Sequence, residues 1–84
     1  MAVYMLESYV TGNQAAEDAA TRLRRAVVES SAPDSATRHL RATFLPADDI
    51  CLHLVEAGSA EDVRRLARHA GVPCERIVEA APLL

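Results

Sequence analysis

The chain has 84 residues and a formal net charge of −3, with 50% apolar and 25% charged residues, which is typical of one globular domain over residues 1–84. The chain holds no run of about 20 apolar residues, which excludes a membrane-spanning helix. Its first residues lack the basic flank of a secretory signal. Together these features predict a cytoplasmic protein without a membrane partner. The negative charge and an aromatic content of only 4% argue against a nucleic-acid partner, which requires a cationic surface.

The first half of the chain predicts a strand, a helix and a loop. Val3–Val10 is rich in β-branched and aromatic residues and predicts a strand. Between Gln14 and Ser30 the apolar residues recur at helical spacing. Ser31–Ser35 contains a proline followed by an aspartate, and it predicts a loop.

The second half predicts a hairpin, a helix and a last strand. Apolar and polar residues alternate over Thr37–Leu45 and again over Ile50–Glu56, on either side of a predicted turn at Pro46–Asp49. Ser59 followed by acidic residues predicts the start of a helix, and Gly71 predicts its end. Residues 75–80 then predict a short strand.

The resulting βαββαβ order is typical of an α+β, ferredoxin-like plait. Right-handed crossovers place four antiparallel strands in the spatial order 4-1-3-2, with two helices on one face of the sheet. The other face, called here the open face, carries no helix. We therefore expect the functional residues on the open face.

Alternation along each strand predicts which residues share a face. We expect the helix-covered face to carry Tyr4, Leu6, Leu40, Ala42, Phe44, Leu52, Leu54 and Val78. We expect the open face to carry Val3, Met5, Glu7, Tyr9, His39, Arg41, Thr43, Cys51, His53, Val55, Ile77 and Glu79.

The polar residues of that predicted open face suggest a metal site. Imidazole and thiolate groups are ligands for nickel and similar transition metals. His39, His53 and Cys51 would bind the ion, and Glu7 or Glu79 would add a carboxylate. A chain this small buries little surface alone, so we expect a homodimer that stacks two open faces and brings ligands from both copies together.

Other interpretations of the same residues stay open. The cysteine is more typical of a small buried apolar position than of a ligand, and the carboxylates are equally consistent with ion pairs to Arg41. A second hypothesis is a small-molecule binding protein or enzyme of the dimeric α/β-barrel type, with Tyr9 and Arg41 beside the histidines in a pocket on the same face. A third is an interaction domain whose open face is only an interface. No catalytic motif is present, which favours binding over catalysis.

Four blocks of the sequence resemble a known family. They are Glu7-Ser8-Tyr9-Val10, the stretch from Thr43 to Asp49, Cys51 with Glu56-Ala57, and the stretch from Ala70 to Glu79. Over nearly the whole chain the sequence is similar to the small actinobacterial family of nickel-binding, ferredoxin-like proteins. The resemblance implies a ferredoxin-like fold, a homodimer through sheet faces and nickel binding. It extends to positions Glu7, Tyr9, Cys51 and Glu56. His39 and His53 are predicted as ligands only from the alternation of residues along the strands.

Overall fold

The computed structural model of the chain describes residues 1–30, 37–81 and 83, so the predicted loop at Ser31–Ser35 lies outside the described residues. Every predicted strand and helix is present close to its predicted bounds. In chain order the elements are β1 (Ala2–Tyr9), α1 (Asn13–Ser30), β2 (Arg38–Leu45), β3 (Ile50–Ala57), α2 (Ala60–Ala70) and β4 (Arg76–Ala80).

The four strands form one antiparallel sheet in the order β2-β3-β1-β4, which is the predicted order read from the other edge. The helices pack side by side, α1 next to β2 and α2 over β1, β3 and β4. The predicted ferredoxin-like fold is therefore confirmed. None of the described helices has the length and apolarity needed to cross a membrane.

Local signals set both ends of α2. The Ser59 hydroxyl accepts a hydrogen bond from the Asp62 backbone N–H at 3.2 Å, as the capping pattern predicts. At the other end Gly71 adopts a left-handed conformation with φ of 69°, which a glycine reaches without steric cost. The chain then returns to the sheet, where the Glu75 N–H donates to the Glu7 carbonyl at 2.8 Å.

The core lies between the helices and the sheet. Leu6, Val55, Leu23 and Val63 come from four different elements and are completely buried. Burying each such side chain contributes about 1.5–3 kcal/mol, so these contacts hold the helices on one face. Much of the inner side of α1 is alanine, which makes that side thin and leaves space beside the sheet.

The predicted facing of β3 is wrong, because the register with β1 places its polar residues beneath the helices. His53 pairs with Leu6, and Cys51 pairs with Ser8, and all four side chains are buried. Val55 is completely buried on the same side. Partners in a ladder project to the same face, so a shift of one residue exchanges the two faces of a strand.

The leucines of β3 and a valine of β4 consequently lie on the open face. Leu54 pairs with Met5, and Met5 pairs with Val78 on its other side. Leu52 alternates with the buried Cys51 and His53 and so shares the face of Leu54. These three positions were expected beneath the helices, and the open face is therefore more apolar than the sequence alone indicates.

In β4 and β2 the predicted alternation also fails. Ile77 pairs with Leu6, and Glu79 pairs with Tyr4, which places both on the helix side of the sheet. In β2 a bulge lies between His39 and Arg41, so Leu40 is an extra residue and is 42% exposed rather than in the core. A bulge sets two residues against one partner and reverses the alternation beyond it. His39 accordingly pairs with Val55 on the helix side, and Arg41 stays on the open face.

Candidate functional site

Two histidine rings meet beneath the helices. His39 Nε2 lies 3.0 Å from His53 Nδ1, the ring centroids are 5.3 Å apart and the ring planes make an angle of 62°. The centroid separation exceeds the nitrogen separation by about the radii of two imidazole rings, so the two nitrogens point at each other. One of them donates a hydrogen bond and the other accepts it. The bulge in β2 makes this meeting possible, because it turns His39 to the side of His53.

The outer nitrogen of each ring is buried and lacks a partner among the other described residues. Among the described residues no hydrogen bond from another residue reaches His39 Nδ1, His53 Nε2 or the nearby Ser8 Oγ. In a neutral pair that shares one N–H, the two outer nitrogens are one donor and one bare acceptor, whichever tautomer is present. Leaving a buried polar group unpaired costs about 1–3 kcal/mol, so this pair is not explained by stability.

Both rings are uncharged at neutral pH. Burial lowers the pKa of His53 to about 4, and the charge that His39 carries when protonated and the charge of Arg24 act in the same direction. Burial followed by the charge of Arg24 also lowers the pKa of His39 to about 4. Burial raises the pKa of the Cys51 thiol, which therefore stays protonated and is not an activated nucleophile.

A groove of about 440 Å³ opens between α1 and β2. It is lined by Asn13, Ala16, Glu17, Ala20, Thr21, Arg24, Ala42, Phe44 and Cys51. Small alanine side chains on the helix and on the facing strand leave this space. Its volume lies in the range of about 300–1,000 Å³ that is usual for small-molecule sites.

The histidine pair lies beside the end of the groove that Arg24 occupies. Ala42 lines the groove and is the ladder partner of His53, and Cys51 lines it two residues earlier on the same face of β3. Arg24 lines the groove, and its charge contributes to the lowered pKa of both rings. The groove therefore combines apolar walls with a guanidinium, and the two neutral imidazoles lie next to it without lining it.

The structure divides the predicted metal ligands between the two faces. His39, His53 and Cys51 do share a face, but it is the face that the helices cover. Glu7 lies on the open face, on the far side of the sheet. Glu79 lies on β4, three strand spacings or about 14 Å from β2. Within residues 1–30, 37–81 and 83 there is no group of three or more potential metal ligands.

The gap between the two histidines is too short for a metal ion. A metal–imidazole bond is about 2.0–2.1 Å long, and the midpoint of the 3.0 Å gap is closer than that to each nitrogen. Only the outer nitrogens of the pair, or rings that have turned apart, would be free to bind a metal.

The residues predicted for an open-face pocket do not lie with the histidines. Tyr9 is 55% exposed opposite Ile50, and Arg41 is exposed opposite Leu54, both on the open face as expected. Neither lines the groove. The sheet separates Tyr9 and Arg41 from the histidine pair. The prediction of a single pocket that contains all four residues is therefore wrong.

Sequence reasoning missed Arg24 as a residue of the site. The sequence interpretation of Arg24 was a cation placed near the helix end for the dipole, but in the structure α1 continues to Ser30 and Arg24 lies outside its last turn. A usable signal was the spacing of Ala16, Ala20 and Arg24, which puts two small residues and one cation on the same side of the helix. Only the position of β2 shows that this side borders a groove.

No family model matches the sequence, and no curated protein matches it either. Among solved structures, the chain is similar to the crystal structure of SCO4226 from Streptomyces coelicolor A3(2), with a TM-score of 0.70 and 25% sequence identity. The match covers 99% of this chain and 100% of that chain. The two proteins therefore share the ferredoxin-like arrangement over their whole described length.

Proposed function

We propose that this chain binds a small organic molecule in the groove between α1 and β2. The observation that carries the proposal is a completely buried histidine, His53, whose outer nitrogen has no partner in the described part of the chain and which lies beside a groove of about 440 Å³. A ligand at that end would supply the missing hydrogen bond. The free energy lost by burying the ring would then be offset when the ligand binds.

Binding is better supported than catalysis. A general base works best when its pKa is near the operating pH, and a pKa of about 4 makes both histidines weak bases at neutral pH. The Cys51 thiol is protonated and almost wholly covered. The proposal keeps the small-molecule hypothesis from the sequence and moves its site from the open face to the helix side.

Chemical-shift mapping of the ¹⁵N-labelled protein with a library of small organic fragments tests this proposal. We expect hits to shift the amides of Ala20, Arg24 and Ala42 and to leave those of the open face, such as Leu54, unchanged. The variant Ala42→Leu fills the groove and should abolish the shifts. The matched control Thr43→Leu changes the next residue of β2, which faces the other way, and should keep them. Shifts confined to the open face, or no hit in the library, would refute the proposal.

A transition metal, with nickel favoured, is the second candidate ligand. Neutral imidazoles are the form of histidine that binds metals, and both outer nitrogens of the pair lack a partner among the described residues. The resemblance to nickel-binding proteins points the same way. The nearby charge of Arg24 acts against it, because a guanidinium repels a cation.

Calorimetric titration with Ni²⁺, Zn²⁺ and Cu²⁺ tests the metal candidate. If it is right, binding is tighter than millimolar and is lost in His53→Ala but kept in His69→Ala, which changes an exposed histidine of α2. Binding weaker than about 1 mM, or binding that both variants retain, would remove nickel from consideration.

We also propose that the open face joins two copies of the chain. Its centre is apolar, with Met5, Leu52, Leu54 and Val78 on neighbouring strands and neither α1 nor α2 above them. A contiguous apolar patch on the surface of a monomer is unusual and marks an interaction site. The sequence resemblance also implies a homodimer through sheet faces. Such a dimer would leave the groove accessible, because the groove lies on the other side of the sheet.

A further inference from the structure

We propose that the ligand of the groove is a small organic monocarboxylate whose carboxylate pairs with Arg24. This inference rests on the proposed function and specifies the chemical class of its ligand.

The first support is the position and the charge of Arg24. Its side chain lines the groove, and no carboxylate in the described ranges forms an ion pair with it. A planar guanidinium presents paired N–H donors that match the two oxygens of a carboxylate. The charge of Arg24 therefore favours an anion at that end of the groove.

The neighbouring histidines suit the same group. They are neutral, because burial lowers the pKa of both rings. One outer nitrogen of the pair therefore always carries a hydrogen. A carboxylate oxygen can accept a hydrogen bond from that N–H. Binding of the carboxylate would favour the tautomer that places the hydrogen on the nearer outer nitrogen. The histidine pair would stay neutral in that tautomer.

A carboxylate at the opposite end of the groove disfavours a second carboxylate on the ligand. Glu17 lines that end, and its carboxylate accepts a hydrogen bond from Asn13 Nδ2 at 3.4 Å. It lies seven residues before Arg24 on α1, which is about 10 Å along the helix axis. A ligand with two carboxylates at its two ends would bring one of them close to Glu17.

The walls between these two charged ends accept an apolar body. Ala16 and Ala20 line one side, and Ala42 and Phe44 line the other. A planar ring or a short hydrocarbon chain would remove apolar surface from water there. Benzoate has both features, a carboxylate and a flat apolar body, and is a suitable probe.

Titrations monitored by NMR with benzoate, benzamide and terephthalate test the inference. Benzamide keeps the shape of benzoate without its charge, and terephthalate adds a second carboxylate. We expect benzoate to bind at least about tenfold more tightly than either. Arg24→Gln should weaken benzoate about tenfold and leave benzamide unchanged. The matched control Arg25→Gln removes the same charge from an exposed position that does not line the groove, and should change neither.

The outcomes separate this inference from the function on which it rests. Equal affinity for benzoate and benzamide, or equal loss in the Arg24 and Arg25 variants, would overturn the monocarboxylate assignment. Tighter binding of terephthalate would do the same. If neutral fragments shift the groove residues but no carboxylate does up to about 10 mM, the inference falls and the proposed function stands. If neither class shifts them, both fall.

Discussion

Leu6 and His53 lie directly opposite each other in the pair of β1 and β3, and both side chains are completely buried beneath the helices. An aliphatic side chain in the place of His53 would continue the core. The histidine instead brings into the core a ring whose outer nitrogen is unpaired within the described residues. Residues that reduce stability in this way are typical of functional sites.

Removing both histidines together is expected to leave the chain at least as stable as it is now. In the double variant His39→Leu/His53→Leu, two apolar side chains replace both unpaired nitrogens. The single variant His53→Leu removes only the partner of His39 Nε2 and should be less stable than the double variant by about 1 kcal/mol. Urea unfolding followed by circular dichroism measures both. If the double variant is clearly less stable than the natural chain, the pair serves stability and its functional interpretation is wrong.

The free energy of unfolding is expected to fall in mild acid. The pKa of each histidine is about 4 in the folded chain and 6.5 as the ordinary value, so between these pH values the unfolded chain binds protons that the folded chain does not. The stabilisation is fully present above pH 6.5 and is lost as the pH falls towards 4. The slope is at most about 1.4 kcal/mol per pH unit for each ring, and smaller for the less deeply buried His39.

Urea unfolding at pH values between about 7 and 5 measures this slope, in the window above most carboxylate titrations. The double leucine variant is the control, and its unfolding free energy should change little over the same interval. An equally steep loss in that variant would assign the acid sensitivity to other groups.

Leu54→Asp is expected to separate the proposed dimer. The substitution puts a carboxylate at the centre of the apolar open face, where burial against a second copy would desolvate it. Sedimentation velocity should show a dimer for the natural chain and a monomer for the variant. Val28→Asp is the matched control, since it changes a valine of α1 that is 76% exposed. A natural chain that sediments as a monomer at all concentrations would rule out the interface.

The two cysteines are expected to react at different rates with a thiol reagent. Burial raises the pKa of both thiols, but Cys51 is 1% exposed whereas Cys74 is exposed, so access to the reagent makes the difference. The folded chain should therefore release one equivalent of chromophore from Ellman's reagent quickly, and the second only after unfolding in urea. In Cys74→Ser the fast phase should disappear. Two equal fast phases would show that the floor of the groove is open to solvent.

Local sequence patterns were sufficient for the elements and their order. The capping serine of α2, its terminal Gly71 and the turn at Pro46–Asp49 act over a few residues, and each is found where the sequence predicts it. Right-handed crossovers then leave one order for the four strands, and that order is observed.

The sequence could not predict which side chains of β3 lie beneath the helices. Alternation identifies which residues share a face, but it has the same period for both faces and does not say which one the helices cover. Cys51, His53 and Val55 are about as compatible with burial as Leu52 and Leu54, so composition did not separate the two choices. The register with Leu6 decided between them.

By itself the sequence determined the fold, because helix ends, turns and apolar period depend on neighbours along the chain. The site depends on residues far apart in the chain. The bulge beside Leu40 turned His39 towards His53, and the approach of α1 to β2 enclosed a space between Ala20 and Ala42. Only the tertiary structure decided these contacts, since pairing register and helix position arise from the packing of the whole core.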